Sequence, residues 1–276
     1  MHYKYPIMKN LQVCTCILFA SLVVVSACKK SDDTPYTPVS GPDMAALKKQ
    51  YNLAVIDAKY AEPWEICRSL VAINYYADSL AGEGNLVWSK DSVGRPRMLV
   101  VSWMKQTSTQ FWPVGKTIKT SNVVAYRSWI TSCPEMIDFL KKNSYTDSLA
   151  LHLRIAQVLG MPPDTKNNFF VEYWVYPENL FRPTPDPEIT DHEADLYFPS
   201  WVSLAYRDWF NNEMKNKYDT SSTSAFPWTR LGYTYDWSTP LHPIGLSEFV
   251  VDTSAVVTVK AVYSSWQYYR RSLTKK

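Results

Sequence analysis

The residues best suited to ligand recognition are concentrated in segment 226–237, which is rich in aromatic side chains. If this segment is extended, alternate side chains share a face, so Tyr235 and Trp237 lie on one face while Arg230 and Asp236 lie on the other. A flat aromatic face can stack on the apolar C–H face of a sugar ring, and the charged side chains can then bind its polar groups. Aromatic residues at period two also pack against a helix in many cores, and that interpretation stays open beside the first.

Carboxyl groups suggest a second kind of chemistry, the hydrolysis of a glycosidic bond. Such a reaction needs two carboxyl groups about 5 to 10 Å apart across the bond. By residue type, the candidates are Glu172, Asp186, Glu188, Asp236 and Glu248. Structural ion pairs are the alternative, because Arg182 lies close to Asp186 and Arg230 lies close to Asp236 in the sequence. The chain contains no nucleophile elbow, P-loop or dinucleotide-binding glycine pattern, so we assign no catalytic residue.

The predicted binding residues come from the Pro-rich loop, from segment 226–237 and from a strand that follows it. They are Arg182, Asp186, Arg230, Tyr235, Asp236, Trp237 and Glu248. The acidic stretch 186–195 could also attract a cation, since His192 lies among several carboxyl groups. Its spacing matches neither an EF-hand loop nor an H-E-x-x-H helix, which favours an exposed acidic loop. We therefore predict neither a metal nor an organic cofactor.

Two cysteines, Cys67 and Cys133, lie outside the N-terminal leader. In an oxidising compartment they could form a disulfide. Cys133 also lies at the predicted N-terminus of a helix, a position that stabilises a thiolate, but no local signature names a catalytic partner for it. The sequence thus leaves a disulfide, inert thiols and a nucleophile open.

The elements that must position these residues are helices and strands mixed without strict alternation. This order favours an α+β fold with a mainly antiparallel sheet. Predicted helices cover residues 44–51, 63–80, 133–142, 147–160 and 201–214. Predicted strands cover residues 86–88, 98–104, 123–130, 168–176, 229–237, 246–251 and 255–263. Ser132 and Glu135 predict a capping box, and five prolines make 177–199 a structured loop.

The N-terminus has the features of a processed leader. Lys4 and Lys9 precede an apolar run over 13–25 that is too short to span a bilayer comfortably. The motif Val25-Ser26-Ala27-Cys28 resembles the lipobox of bacterial lipoproteins, in which the cysteine is acylated and becomes the new N-terminus. This resemblance implies a lipid on Cys28 and attachment to a membrane through that lipid. The residues that follow resemble the surface-export tethers of Bacteroidota lipoproteins, which implies the outer membrane.

Composition limits the remaining classes of function. The chain has 276 residues with a net charge of +3, which is too weak for phosphate-backbone binding, so we predict no nucleic-acid partner. Its apolar fraction of 46% is sufficient for an ordinary core. We predict a signal peptide over 1–27, a lipidated tether over 28–42 and one globular domain over 43–276.

Several strings together resemble an uncharacterised family of secreted bacterial proteins. They are Leu159 to Pro163, Phe170 to Val175, Leu180 to Asp191, Pro227 to Trp237 and Ser247 to Val250. The resemblance implies an exported, self-contained domain, and it supplies no reaction. From the residues, we predict a membrane-anchored envelope lipoprotein that binds a glycan, a peptide or an envelope protein. The alternatives are a secreted hydrolase with carboxylate or cation chemistry around Glu172, Asp186 and 191–195, and a structural envelope protein.

Overall fold

The structure is a computed structural model that describes residues 42–80 and 86–274. The α-helices are α1 Met44–Asp57, α2 Tyr75–Leu80, α3 Cys133–Lys141, α4 Ser148–Val158, α5 Leu204–Lys217 and α6 Ser265–Thr274. The β-strands are β1 Trp88–Lys90, β2 Pro96–Lys105, β3 Thr117–Lys119, β4 Ser128–Ser132, β5 Asn167–Val175, β6 Leu180–Phe181, β7 Tyr233–Tyr235, β8 Ile244–Ser247, β9 Phe249–Val251 and β10 Val256–Ser264. The predicted signal peptide, Cys28 and the tether up to residue 41 lie outside the described residues.

Eight strands form one sheet in the order β3-β10-β5-β2-β4-β9-β6, with β1 added beside the start of β2. The pairings between these strands are antiparallel. β7 and β8 form a separate two-stranded sheet. Since the helices pack on this sheet as one unit, the predicted α+β single domain with a mainly antiparallel sheet is confirmed.

The central strand β5 is buried on both faces, as its alternating apolar side chains predict. Phe170 faces a core that α3, α4 and α6 complete with residues such as Ile155 and Tyr268. Val171 and Tyr173 face the opposite core, where they pack with residues of β2, β9 and β10. The sheet therefore lies between two hydrophobic cores, and each core contributes residues to the cleft described in the next section.

Residues 66–74 cover part of the second face in an extended conformation rather than in the predicted helix over 63–80. A short 3-10 turn spans Pro63–Glu65, and helical structure returns at α2. Between them, the Leu70 N–H donates to the carbonyl of His192 at 2.9 Å, and the Ile73 N–H donates to the carbonyl of Ile189 at 2.6 Å. These long-range hydrogen bonds replace the local ones of a helix and bury Ile73 against the sheet.

The start of α3 also differs from the predicted capping box. The Ser132 side chain makes no capping hydrogen bond. The Glu135 carboxylate instead accepts hydrogen bonds from the hydroxyls of Thr131 and Ser247, each at 3.0 Å, and so links α3 to β4 and β8.

The sequence pattern did not predict the amphipathic helix α6. Within the described residues, none of the helices is long and apolar enough to cross a membrane.

Candidate functional site

Two neighbouring strands separate in the middle of the sheet. β4 pairs with β2 through Val100↔Ser132 and Val101↔Thr131. β2 then continues along β5, whereas β4 turns away and pairs with β9. A wedge-shaped opening forms between the second half of β2 and the first half of β4.

This opening is a cavity of about 1160 Å³, which we call the sheet cleft. Its walls include Met136 and Phe170 from one core and Ile130 and Ile118 from the other, so the cleft reaches both faces of the sheet. Aromatic side chains that line it include Phe111, Trp112, Tyr126, Trp129 and Phe226. Hydroxyl side chains that line it include Ser102, Ser108, Thr120, Ser121, Ser128, Thr131 and Thr234. Most of these hydroxyls already hydrogen-bond within the protein, so the surface combines flat apolar rings with hydroxyl oxygens that can still accept a hydrogen bond.

Glu248 lies in this cleft between β8 and β9. Its side chain and backbone are only 4% exposed, and its N–H donates to the carbonyl of Gly232 at 2.9 Å. No hydrogen bond from another described residue reaches its carboxyl group, and its oxygens are not among the fully enclosed atoms, so they remain accessible from the cleft. Burial raises the pKa of Glu248 from 4.5 to about 8, and the nearby ammonium of Lys217 opposes this rise. At neutral pH the carboxyl group is therefore mostly protonated and can donate a hydrogen bond into the cleft.

Three cationic side chains also line the cleft: Lys119, Arg127 and Lys217. The Arg127 guanidinium pairs with Asp252 at 2.7 Å, while the Lys217 ammonium pairs with Glu213 at 3.2 Å. Glu248 is the one carboxyl group among the lining residues that the structure describes. With Glu248 protonated, the charges on the cleft wall are all positive.

Aromatic rings surround this end of the cleft. The Trp129 ring packs edge-on against Trp228 with ring centroids 5.8 Å apart, and Phe226 lies 6.3 Å from it. The Lys217 Nζ lies 5.8 Å from the Trp129 ring centroid. At the mouth, Phe111 and Tyr126 are 69% and 73% exposed. Trp228 is buried and holds Trp129 in place, so the half-buried Trp129 presents a positioned ring to the cleft.

The other predicted binding residues make structural contacts away from the cleft. Arg182 is buried and pairs with Asp191 at 2.6 Å, and its guanidinium also donates to backbone carbonyls of the Pro-rich loop. Gly232 makes room for it, because a Cβ there would lie 2.6 Å from the Arg182 Cδ. Asp186 accepts from the Glu188 N–H, and burial with neighbouring carboxylates raises its pKa.

Residues 228–237 are largely core rather than a stacking surface, whereas Phe226 lines the cleft. The Arg154 guanidinium holds both carboxylate oxygens of the buried Asp236, at 2.9 and 2.6 Å. The Trp237 indole N–H donates to the Met161 carbonyl at 2.9 Å, and the Tyr235 hydroxyl donates to Asp57 at 2.7 Å. Arg230 donates to the Lys59 carbonyl at 2.7 Å. Arg182 and Asp236 therefore do form structural ion pairs, but not with the residues expected from the sequence. Arg182 pairs with Asp191, and Asp236 pairs with Arg154.

Glu172 and the two cysteines are also enclosed. Cys67 and Cys133 are both free thiols, so of the alternatives left open by the sequence the structure does not show the disulfide. The Cys133 thiol donates to the Glu172 carboxylate at 2.9 Å, and burial raises the pKa of this thiol to about 12, which removes its nucleophilic form. Arg271 pairs with the same carboxylate, and the Lys260 Nζ lies 3.7 Å from it.

The acidic stretch 186–195 shows no arrangement for a cation. His192 Nδ1 lies 2.7 Å from the carbonyl of Leu70, which holds the ring against residues 66–74. In the described part of the chain, no group of three or more His, Cys, Asp or Glu side chains could hold a metal ion.

Of the predicted binding residues, Glu248 alone lines the sheet cleft, and Phe226 at the start of the predicted segment 226–237 also lines it. Trp129 and Lys217 are the lining residues that the sequence pattern did not single out. No feature of the sequence pattern indicates that β4, α5 and the β8–β9 junction lie close together in the fold. Searches with this chain against protein-family models, curated proteins and solved structures found no significant match.

Proposed function

We propose that this protein is a glycan-binding module that is attached to the bacterial cell envelope by an N-terminal lipid. The observation that carries the proposal is the buried Glu248 carboxyl group, which opens into an aromatic cleft without a hydrogen-bond partner among the described residues. Because its oxygens remain accessible from the cleft, this carboxyl group can exchange a hydrogen bond with a polar ligand bound there.

The lining favours a sugar over a purely apolar ligand. The rings of Trp112 and Trp129 supply flat apolar surfaces, and the hydroxyl oxygens of the lining can accept hydrogen bonds from a ligand. Sugar rings have the matching combination of apolar C–H faces and peripheral hydroxyl groups. The cleft volume of about 1160 Å³ exceeds the roughly 300–1,000 Å³ of sites for small molecules. This volume suits an oligosaccharide better than a single sugar.

The same arrangement favours binding over hydrolysis. Glycoside hydrolysis usually employs two carboxyl groups across the bond, and Glu248 is the one carboxyl group among the described lining residues. Glu172 is sealed in the core by Cys133 and Arg271. Asp186 lies in the Pro-rich loop and does not line the cleft.

The envelope location rests on the sequence of the leader. Cys28 in the lipobox-like motif is the proposed lipidation site, and the tether up to residue 42 gives the domain reach from the membrane surface. We propose the outer membrane, on its periplasmic or outer face. Mass spectrometry of the mature protein tests this location, because acyl chains on an N-terminal Cys28 are expected.

Binding of the full chain, purified in detergent, to a glycan array is the direct test of function. We expect binding to a defined group of oligosaccharides, and we expect Trp129→Ala to weaken it at least tenfold. Trp64→Ala is the matched control, because Trp64 is 77% exposed and does not line the cleft. Glu248→Leu, which keeps the site filled but removes its polar atoms, provides a second variant if Trp129→Ala lowers stability. An array without binding, or equal loss in both tryptophan variants, would rule out the proposal.

A further inference from the structure

We infer that the bound glycan is acidic, and that one of its uronate carboxylates lies between the Lys217 ammonium and the Glu248 carboxyl group while its ring packs on Trp129. This inference rests on the proposed function and names the class of glycan. Its structural basis is the presence of these three side chains at one end of the sheet cleft.

The charge of the cleft favours an anion. Lys119, Arg127 and Lys217 line it, against a single carboxyl group among the described lining residues. Asp252 neutralises Arg127. The Lys217 ammonium has three N–H donors, and its ion pair with Glu213 leaves donors for a ligand. An anionic ligand at this end can therefore accept hydrogen bonds from the N–H groups of Lys217 that its ion pair with Glu213 does not use.

Glu248 complements Lys217 as a partner for a carboxylate. A protonated carboxyl group donates a strong, charge-assisted hydrogen bond to a carboxylate. The charged and titratable groups that act on Glu248 are Lys217, which lowers its pKa, and the neighbouring Tyr218, whose own pKa is raised mainly by burial. Burial outweighs Lys217 and keeps the pKa of Glu248 near 8, so the donor is present at neutral pH. Above that pH the ionised Glu248 repels the ligand carboxylate.

A sugar acid fits this end better than an acidic peptide. A peptide that adds to a sheet needs a strand edge with free backbone groups. Here the Ser102 hydroxyl of β2 donates to the Trp129 carbonyl of β4 at 3.0 Å and occupies the backbone acceptor that faces β2. The remaining features are side chains, namely a ring and two polar groups, which match a sugar ring that carries a carboxylate.

Isothermal titration calorimetry of the full chain in detergent tests the inference with a panel of uronate-containing oligosaccharides and their carboxyl-reduced counterparts. At pH 6.5 we expect at least one uronate oligomer to bind about tenfold or more tightly than its reduced form. Lys217→Met is expected to remove that preference. Lys215→Met on the same helix is the control, since Lys215 is exposed, contacts Asn212 and does not line the cleft.

The pH dependence separates a direct role of Glu248 from a structural one. Between pH 6.5 and 9.5 we expect wild-type affinity for the uronate oligomer to fall about tenfold. Glu248→Gln should still bind at pH 6.5, because its amide donates a hydrogen bond, and should lose this pH dependence. If Glu248 had only a structural role, replacing it by Gln would not remove the pH dependence of binding.

Three outcomes overturn the inference and remain distinguishable from failure of the proposed function. If reduced oligomers bind as tightly as uronate oligomers, or if array hits are all neutral, the acidic class is wrong while glycan binding stands. If polyglutamate displaces the uronate oligomer with equal affinity, the site recognises carboxylates without a sugar. If no glycan binds at all, the proposed function fails together with the inference.

Discussion

Replacing Glu248 by Gln tests the energetic argument for the sheet cleft. The Gln side chain has nearly the same size but cannot ionise. In the folded chain burial raises the pKa of Glu248 from 4.5 to about 8, whereas the unfolded chain keeps the ordinary value. The folded state thus binds the proton more tightly, and wild-type stability falls as pH rises from 4.5 through 8. At about 1.36 kcal/mol per pKa unit, this loss is about 3 kcal/mol at pH 7 and about 5 kcal/mol above pH 8.

Urea unfolding at pH 5, 7 and 9 measures this effect as a difference in the free energy of unfolding. At pH 5 we expect Glu248→Gln and the wild type to have similar stability. By pH 9 the variant should be more stable by about 5 kcal/mol, because only the wild type then buries a charge. Glu178→Gln, at an exposed position, controls for the change from carboxyl to amide. A difference that stays constant from pH 5 to pH 9 would refute the reasoning.

Three further predictions concern groups that hold the fold. Gly232→Ala should lower the free energy of unfolding by about 2–4 kcal/mol in urea, because the residue has φ +78° and its new Cβ would clash with Arg182; an unchanged midpoint would contradict this. Asp236→Asn should cost about 3 kcal/mol in the same assay, since Arg154 would lose its carboxylate; a loss below 1 kcal/mol would contradict it. Cys133 should resist iodoacetamide at pH 8 until urea unfolds the chain, as mass spectrometry can show, because its thiol is buried and protonated; rapid labelling of the folded chain would contradict it.

Much of the sheet follows from local patterns in the sequence. The apolar alternation over 168–176 predicts β5 and its two buried faces, because side chains of a strand point alternately to opposite sides. Asp147 predicts the start of α4, and its carboxylate does accept from the Ala150 N–H at 2.8 Å. Both features depend on residues that are close in the sequence, so a sequence pattern contains the relevant information.

The cleft could not be predicted in this way because it depends on a choice between partners. β4 can pair with either β2 or β9, and its five residues Ser128–Ser132 do not show that it pairs with each in part. The residues that meet in the cleft, Trp129, Lys217 and Glu248, come from three separate elements. A high density of aromatic residues also did not indicate an exposed ligand-binding face, because Trp237 and Tyr235 pack in the core around α1.

Helix α6 has a consequence for the timing of folding. The central carboxylate of Glu172 is sealed in the core, and its closest cation, Arg271, lies in the last helix of the chain. A partly folded chain in which α6 has not yet docked would have to bury that carboxylate without Arg271, which is strongly unfavourable. Closure of this core is therefore coupled to the docking of α6, so we expect the two to form together during folding.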